Sequence, residues 1–217
     1  MKNLKKVAPW LLIAAPFVYL GIIWKDLPGQ VPTHFTAKGP DDWSDKNMLI
    51  FIPAMMPLGI FLLMSLIPVI DPKKKIAQMG DKFAIFRLIL TFFFSVLACY
   101  ILFITEAGKW EKPQMMYAII GALFAAMGNY FQTVRPNYFI GIRTPWTLED
   151  EEIWKSTHLL AGRIWMAGGL MVIVLAFLVS NTVMDGLMTG IIVVMGLIPV
   201  IHSFLAFQKK KRLIREK

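Results

Sequence analysis

One cysteine, Cys99, stands in the whole chain, inside an apolar run, so no intrachain disulfide can form and it reads as a small packing residue. Histidine is nearly as scarce, with His34, His158 and His202 only. No pair of them has metal-ligand spacing, and neither HExxH nor CxxC occurs, so no metal site and no cofactor is expected. GxSxG and a phosphate-binding glycine loop are also missing. Acidic residues number 14 against 23 basic ones, and the apolar runs hold almost none of them. That shortage argues against an intramembrane protease with paired carboxylates and against a proton-coupled transporter, which needs ionisable relays at mid-depth. No catalytic grouping is left, and the chain reads as a non-enzyme. The excess of positive charge, +9, does not point to direct nucleic-acid binding, because the basic residues cluster at the ends of apolar segments.

What is present in abundance is apolar sequence. Hydrophobic residues make up 57% of the 217, and the mean hydropathy is +0.59. Six stretches approach the ~20 residues needed to cross ~30 Å of hydrocarbon. They are about 7–24, 48–70, 83–105, 113–131, 158–180 and 186–207. The first begins after Lys2, Lys5 and Lys6 like a signal peptide, but its run is long and lacks a small-x-small site, so it reads as a retained helix. The fourth is the least apolar. Its Gly121, Ala122, Ala125 and Ala126, with Gly162, Gly168 and Gly169 of the fifth, suit close helix–helix approach. Pro53, Pro57 and Pro68 interrupt the second span and Pro199 the sixth, which leaves room for a broken-helix site. Trp10, Trp24, Trp110, Trp154 and Trp165 fall near span ends, as interfacial aromatics do.

Sixteen lysines and arginines lie on one set of ends and five, Lys25, Lys38, Lys46, Lys109 and Lys112, on the other; Arg87 and Arg163 lie just inside helices. The positive-inside rule then gives an all-α integral membrane protein with six transmembrane helices and both termini cytoplasmic. His34 and His158 fall on opposite sides in that arrangement.

The outer loop, KDLPGQVPTHFTAKGPDDWSDKN, is punctuated by proline and glycine. VPTHF has extended character and TAKGPDDW reads as a turn. A compact ordered loop is expected, with Phe35 and Trp43 folding it back onto the helix ends. Its His34, Lys38, Asp41, Asp42, Asp45 and Lys46 form either a docking surface for an external ligand or a solvated loop satisfied by its own turns. On the inner side, Asp71-Pro72 ends a helix and Lys73, Lys74 and Lys75 read as anchors to anionic lipid.

The densest polar stretch is RPNYFIGIRTPWTLEDEEIWKSTHLLAGR, from Arg135 to Arg163. Pro136 and Pro145 oppose helix. Thr147 reads as an N-cap with Asp150 three residues on, and Glu149, Asp150, Glu151 and Glu152 fall in the first turn of a helix from about Leu148. Arg143, between Gly141 and Pro145, presents a rigid five-donor fork to carbonyls or to a carboxylate, with Glu149, Glu152 and Asp71 as candidates.

This stretch resembles the SdpI family, bacterial multi-span proteins related to the immunity protein for the sporulation-delaying peptide toxin. Asn137, the Gly141-Ile142-Arg143-Thr144-Pro145 run, Trp154, Thr157 and His158 carry the match. VPTHFTAKGPDDWSDKN, through His34, Phe35, Gly39, Asp42 and Lys46, resembles the uncharacterised domain that often precedes that signature. The resemblance implies an N-terminal two-helix region at 1–82 with an ordered outer loop, and an SdpI-type four-helix region at 83–217. It implies protection of the bacterial cytoplasmic membrane against a secreted peptide toxin met at the outer face. It also implies, as in the founding system, retention of a cytoplasmic transcriptional repressor at the membrane, with membrane lipids as further partners. The alternative is a transporter or lipid-interacting membrane protein of unknown substrate. The candidate ligand or partner residues are Asn137, Gly141, Arg143, Thr144, Pro145, Trp154, Thr157, His158, His34, Phe35 and Asp42.

Overall fold

The computed structural model describes residues 2–36, 39–109 and 112–216. Lys38 and Trp110 lie outside the described residues, as do the side chains of Lys2, Lys5, Lys6 and Phe35. The elements in order are α1 (Lys2–Ile23), β1 (Gln30–Thr36), β2 (Gly39–Asp45), α2 (Lys46–Ile70), α3 (Asp81–Ala107), α4 (Pro113–Phe131), α5 (Pro145–Glu149), α6 (Glu151–Leu178) and α7 (Asn181–Arg215). Four of them, α2, α3, α6 and α7, are long and apolar enough to cross a membrane by length and composition, and α1 holds a shorter apolar segment, Val7–Ile23. Side chains such as Leu11, Met55, Val69 and Leu178 are more than 60% exposed, which suits a lipid-facing surface better than water. This is a helical, multi-pass membrane protein.

The chain divides into two compact units. Met1–Leu66 with Ala84–Ile119 form one, and Ile67–Phe83 with Ile120–Lys217 form the other.

In the first unit the loop after α1 is a β-hairpin, so the protein is not purely α. β1 and β2 pair antiparallel with Pro32 opposite Trp43 and His34 opposite Asp42, and the register slips on either side of His34. TAKGPDDW, expected as a turn, contributes most of β2. An isolated two-stranded hairpin is marginal. This one is held by Val31, fully buried in a cluster with Leu20, Ile23, Leu27, Leu49 and Leu102. Trp43 is half exposed and does not serve as the expected anchor. Lys46 does: its amide donates to Gly29 O at 3.0 Å, and its ammonium reaches Trp24 O at 3.4 Å over the Trp24 ring.

The prolines are absorbed rather than breaking the spans. A proline leaves the carbonyl four residues earlier without its helical donor. For Pro16 that carbonyl is Leu12 O, and Ser95 Oγ of α3 donates to it at 2.6 Å. For Pro199 it is Met195 O, and the indole of Trp165 donates to it at 3.0 Å. In α2, Pro57 sits in a π-helical turn, Ala54–Leu58, closed by Gly59 N–H to Ala54 O. Trp165 is therefore mid-helix in α6, not interfacial. Trp154 lies in the first turn of α6 but is 1% exposed, so its ring packs inside the protein rather than against lipid.

In the second unit α6 lies between α4 and α7. The small residues do what their spacing suggested. A Cβ built on Gly169 would lie 2.4 Å from Ala125 N, and one on Gly128 would lie 2.3 Å from Met166 N, so the α4 and α6 backbones touch. Gly168, one residue before the Gly169 contact with α4, faces Met195 of α7. Phe124 and Phe131 of α4 pack edge-on against Trp165.

Candidate functional site

Between α4 and α6 the chain has no regular structure until Pro145, and buried polar groups hold it in one conformation. Asn137, 3% exposed, is the first of them. Its Oδ1 accepts from the amides of Phe139 (2.8 Å) and Ile140 (2.7 Å), and its Nδ2 donates to Arg135 O and Ile140 O. All its hydrogen-bonding capacity in reach is used to fold the loop back on itself. The turn ends at Gly141, where φ is +112°. An ideal Cβ there would sit 2.3 Å from His158 Nε2, so both the backbone conformation and the space require glycine.

His158 comes from α6 and is 2% exposed. Its Nε2 accepts from Ile142 N at 3.0 Å, which places the ring proton on Nδ1, donating to Trp154 O at 2.8 Å. The imidazole stacks on Trp154 at 4.0 Å between centroids and meets Phe131 edge-on. The Trp154 indole donates to Val134 O at 2.9 Å. One helical turn of α6 thus pins the loop at both ends, through Trp154 at Val134 and through His158 at Ile142. Thr157, also fully buried, has no hydrogen-bond partner for its hydroxyl among the described residues.

The helix starts differ from the expected ones. Thr144, not Thr147, caps the first helix, α5, with Pro145 at its first position. Thr147 completes a reciprocal box: its amide donates to Thr144 Oγ1 and its Oγ1 accepts from Thr144 N. The acidic run is split. Glu149 ends α5, and Asp150 caps α6, accepting from the amides of Glu152 and Ile153. Glu151 and Glu152 then occupy the first turn of α6, where the helix dipole favours them. The Lys210 ammonium, 2.7 Å from Asp150 and 2.6 Å from Glu152, holds the Asp150 carboxyl below the usual carboxylate range, and the two amides act in the same direction. The far end of α7 also supplies Ser203, whose Oγ accepts from Thr144 Oγ1 at 3.1 Å, and Phe204 and Phe207, which pack on Trp146.

Arg143 is the charged member of the signature, and it faces outward. It is exposed, and Nη1 donates to Tyr138 O. The expected carboxylates are engaged elsewhere. Glu152 pairs with Lys210, and buried Asp71 accepts from the amides of Lys73 and Ile76. Glu149 is exposed and forms no ion pair with Arg143 among the described residues. The Asp71 turn delivers Lys73 to the exposed Tyr138, 2.9 Å from its hydroxyl and 4.9 Å above its ring. Lys73 and Arg143 therefore flank Tyr138 on one cationic face. No local signal marks Lys73, Tyr138, Ser203 or Lys210 for these roles, because each pairing spans dozens of residues.

So the structure brings Asn137, Gly141, Thr144, Trp154 and His158 into one knot, with Pro145 and Thr157 beside it and Arg143 on its surface. His34 and Asp42 belong to the hairpin, in the other unit. His34 Nδ1 lies 2.6 Å from Asp41, Asp42 accepts from Thr33, and both pairs are exposed. Phe35 takes part in β1. No cluster of metal-ligating side chains occurs among the described residues.

Residues 133–204 match the SdpI/YfhL protein family, and residues 11–56 match a domain of unknown function, DUF1648. The chain is 24% identical over 202 residues to Immunity protein SdpI of Bacillus subtilis (strain 168), covering 93% of each chain. No solved structure matches it. The chain thus carries an SdpI/YfhL-family segment that contains the whole Asn137–His158 knot, preceded by a DUF1648 segment that contains the hairpin.

Proposed function

We propose that this protein is an immunity protein of the bacterial cytoplasmic membrane that protects against a secreted, membrane-active peptide. The observation that supports it is similarity along 93% of both chains to a protein named for immunity, with the family segment covering the knot. In this reading the hairpin, with His34, Phe35 and Asp42, meets the peptide at the outer face. The Lys73–Tyr138–Arg143 face lies in the cytoplasm, where it takes an acidic surface of a transcriptional repressor. The buried residues of the knot, Asn137, Gly141, Trp154 and His158, hold that face in shape. The protein binds and signals; it does not catalyse.

The direct test is expression in a sensitive bacterium followed by challenge with peptides of the sporulation-delaying type. Wild type should protect. Arg143→Lys keeps the charge and loses the fork. Because Arg143 is exposed and its bond is to one carbonyl, its melting temperature should barely move while protection falls about tenfold, the scale of one charge-assisted pair. Absence of protection by wild type against every such peptide sinks immunity. Full protection by Arg143→Lys removes the guanidinium from the proposal.

The topology that goes with this reading has six spans, α1 and α4 included, and both termini inside, following the sixteen-to-five charge asymmetry. In a Cys99→Ala background, Pro40→Cys should react with an impermeant thiol reagent on intact cells and Leu148→Cys should not. Labelling of Leu148→Cys from outside would invert the orientation and refute this placement of the two faces.

A further inference from the structure

Arg87 of α3 is a cation inside a membrane span with no carboxylate beside it among the described residues. Its Nη1 donates to Ser65 Oγ of α2 at 3.0 Å, and its guanidinium carbon lies 4.8 Å from the centroid of the Phe61 ring. Ser65 in turn donates to Phe61 O at 2.7 Å, so its lone pairs are turned to the arginine. One helical turn of α2 thus supplies both the ring beneath the guanidinium and the acceptor for one of its donors. Five N–H donors are available, and most of them remain.

The depth of the group indicates what takes them up. α3 has 27 residues, about 40 Å of helix against ~30 Å of hydrocarbon, so roughly 5 Å projects at each end. Arg87 lies six residues after Asp81, about 9 Å along the axis, which puts its Cα a few ångströms below the hydrocarbon edge. Its Cα–Cβ bond tilts toward the helix N-terminus and therefore toward that edge. A guanidinium on a long stem reaches the level of the lipid phosphates from there. A charge so placed is costly unless it is paired, and the planar fork matches phosphate oxygens.

We infer that Arg87, positioned by Ser65 and Phe61, binds the phosphate of an anionic phospholipid where α3 meets α2. The site is independent of the Arg143 face and of the immunity reading. It also needs no particular orientation in the membrane.

The test uses the full-length protein in mild detergent, titrated with phosphatidylglycerol, with phosphatidylcholine and with inorganic phosphate, and read by melting temperature and by native mass spectrometry of retained lipid. Wild type should melt higher with phosphatidylglycerol than with phosphatidylcholine and should retain the former. Arg87→Gln should lose that difference, with about a tenfold loss of phosphatidylglycerol affinity, as for one charge-assisted contact. Lys209→Gln combined with Lys211→Gln, which removes two exposed cations from α7, should keep it. If Arg87→Gln does not fold, Arg87→Lys is read instead, and severalfold weaker binding is expected from loss of the fork. The proposal is overturned if Arg87→Gln, or Arg87→Lys where it is the variant read, binds phosphatidylglycerol like wild type. It is equally overturned if the Lys209/Lys211 variant loses the preference as fully as Arg87→Gln, which would mean general surface charge. Equal protection by inorganic phosphate would assign the site to free phosphate and overturn the lipid.

Discussion

Gly141→Ala is expected to destabilise the protein by about 3–5 kcal/mol, from a strained backbone and a broken buried hydrogen bond together. Alanine at φ +112° is in a region that side chains avoid. The added methyl would also lie 2.3 Å from His158 Nε2. The imidazole cannot simply step aside, because it is stacked on Trp154 and bonded through Nδ1 to the Trp154 carbonyl. If it moves, the Ile142 amide loses its acceptor, and a buried unsatisfied group costs about 1–3 kcal/mol. Melting of the detergent-solubilised protein gives the size, and a cycle with His158→Ala gives the cause. His158→Ala opens the space, so the double variant should be much less unstable than the sum of the singles. Strict additivity, or a Gly141→Ala protein that melts like wild type, would mean that the glycine and the histidine are not in contact.

The second large effect is expected at the α4–α6 contact. Gly169→Ala places a methyl 2.4 Å from Ala125 N and 2.5 Å from Gly121 O. These are backbone atoms of the facing helix, so no side chain can rotate away and the helices must separate. Overpacking costs about 1–3 kcal/mol, with the upper end expected where only backbone can yield, and separation also strips the edge-on packing of Phe124 and Phe131 on Trp165. Gly190→Ala is the matched comparison. It lies in α7, and nothing stands within 4 Å of its added methyl, so no loss is expected and alanine's helix propensity adds up to about 1 kcal/mol. Chemical denaturation or thermal melting of the two variants decides it. Equal stabilities would show that the glycines of α4 and α6 are not used for close approach.

Much of this molecule was legible in one dimension. Long apolar runs need lipid, and their positions correspond to long helices to within a few residues at most ends, because hydrophobic length is a property of contiguous sequence. The fourth run coincides with α4, Pro113–Phe131. Gly121, Ala122, Ala125 and Ala126, with Gly162, Gly168 and Gly169, announced a close helix contact for the same reason: small side chains gathered in one segment let another helix approach. The signature around Asn137–His158 was visible because it is local, and its residues do meet.

Roles set by distant residues were not legible. Trp165 looked interfacial from its position near a predicted end, yet it supplies the donor that Pro199 denies to Met195 O, a pairing that exists only once α6 and α7 pack. Trp154 was read the same way and is buried in the knot. Thr147 looked like a cap because Asp150 follows it at the right spacing. Tertiary contact decided for Thr144, whose hydroxyl is fixed by Ser203 of α7, and left Asp150 to cap α6 under Lys210. A carboxylate is the partner that chemistry alone suggests for Arg143, but the nearby acids have other partners, and its bond goes to the Tyr138 carbonyl. The sequence by itself determined the membrane character, the helix runs and the small-residue contact, all of which depend on residue type and spacing along one segment. Only the tertiary structure decided which polar groups satisfy one another, because in a buried site a donor takes whichever acceptor the packing delivers, however far away in the chain it lies.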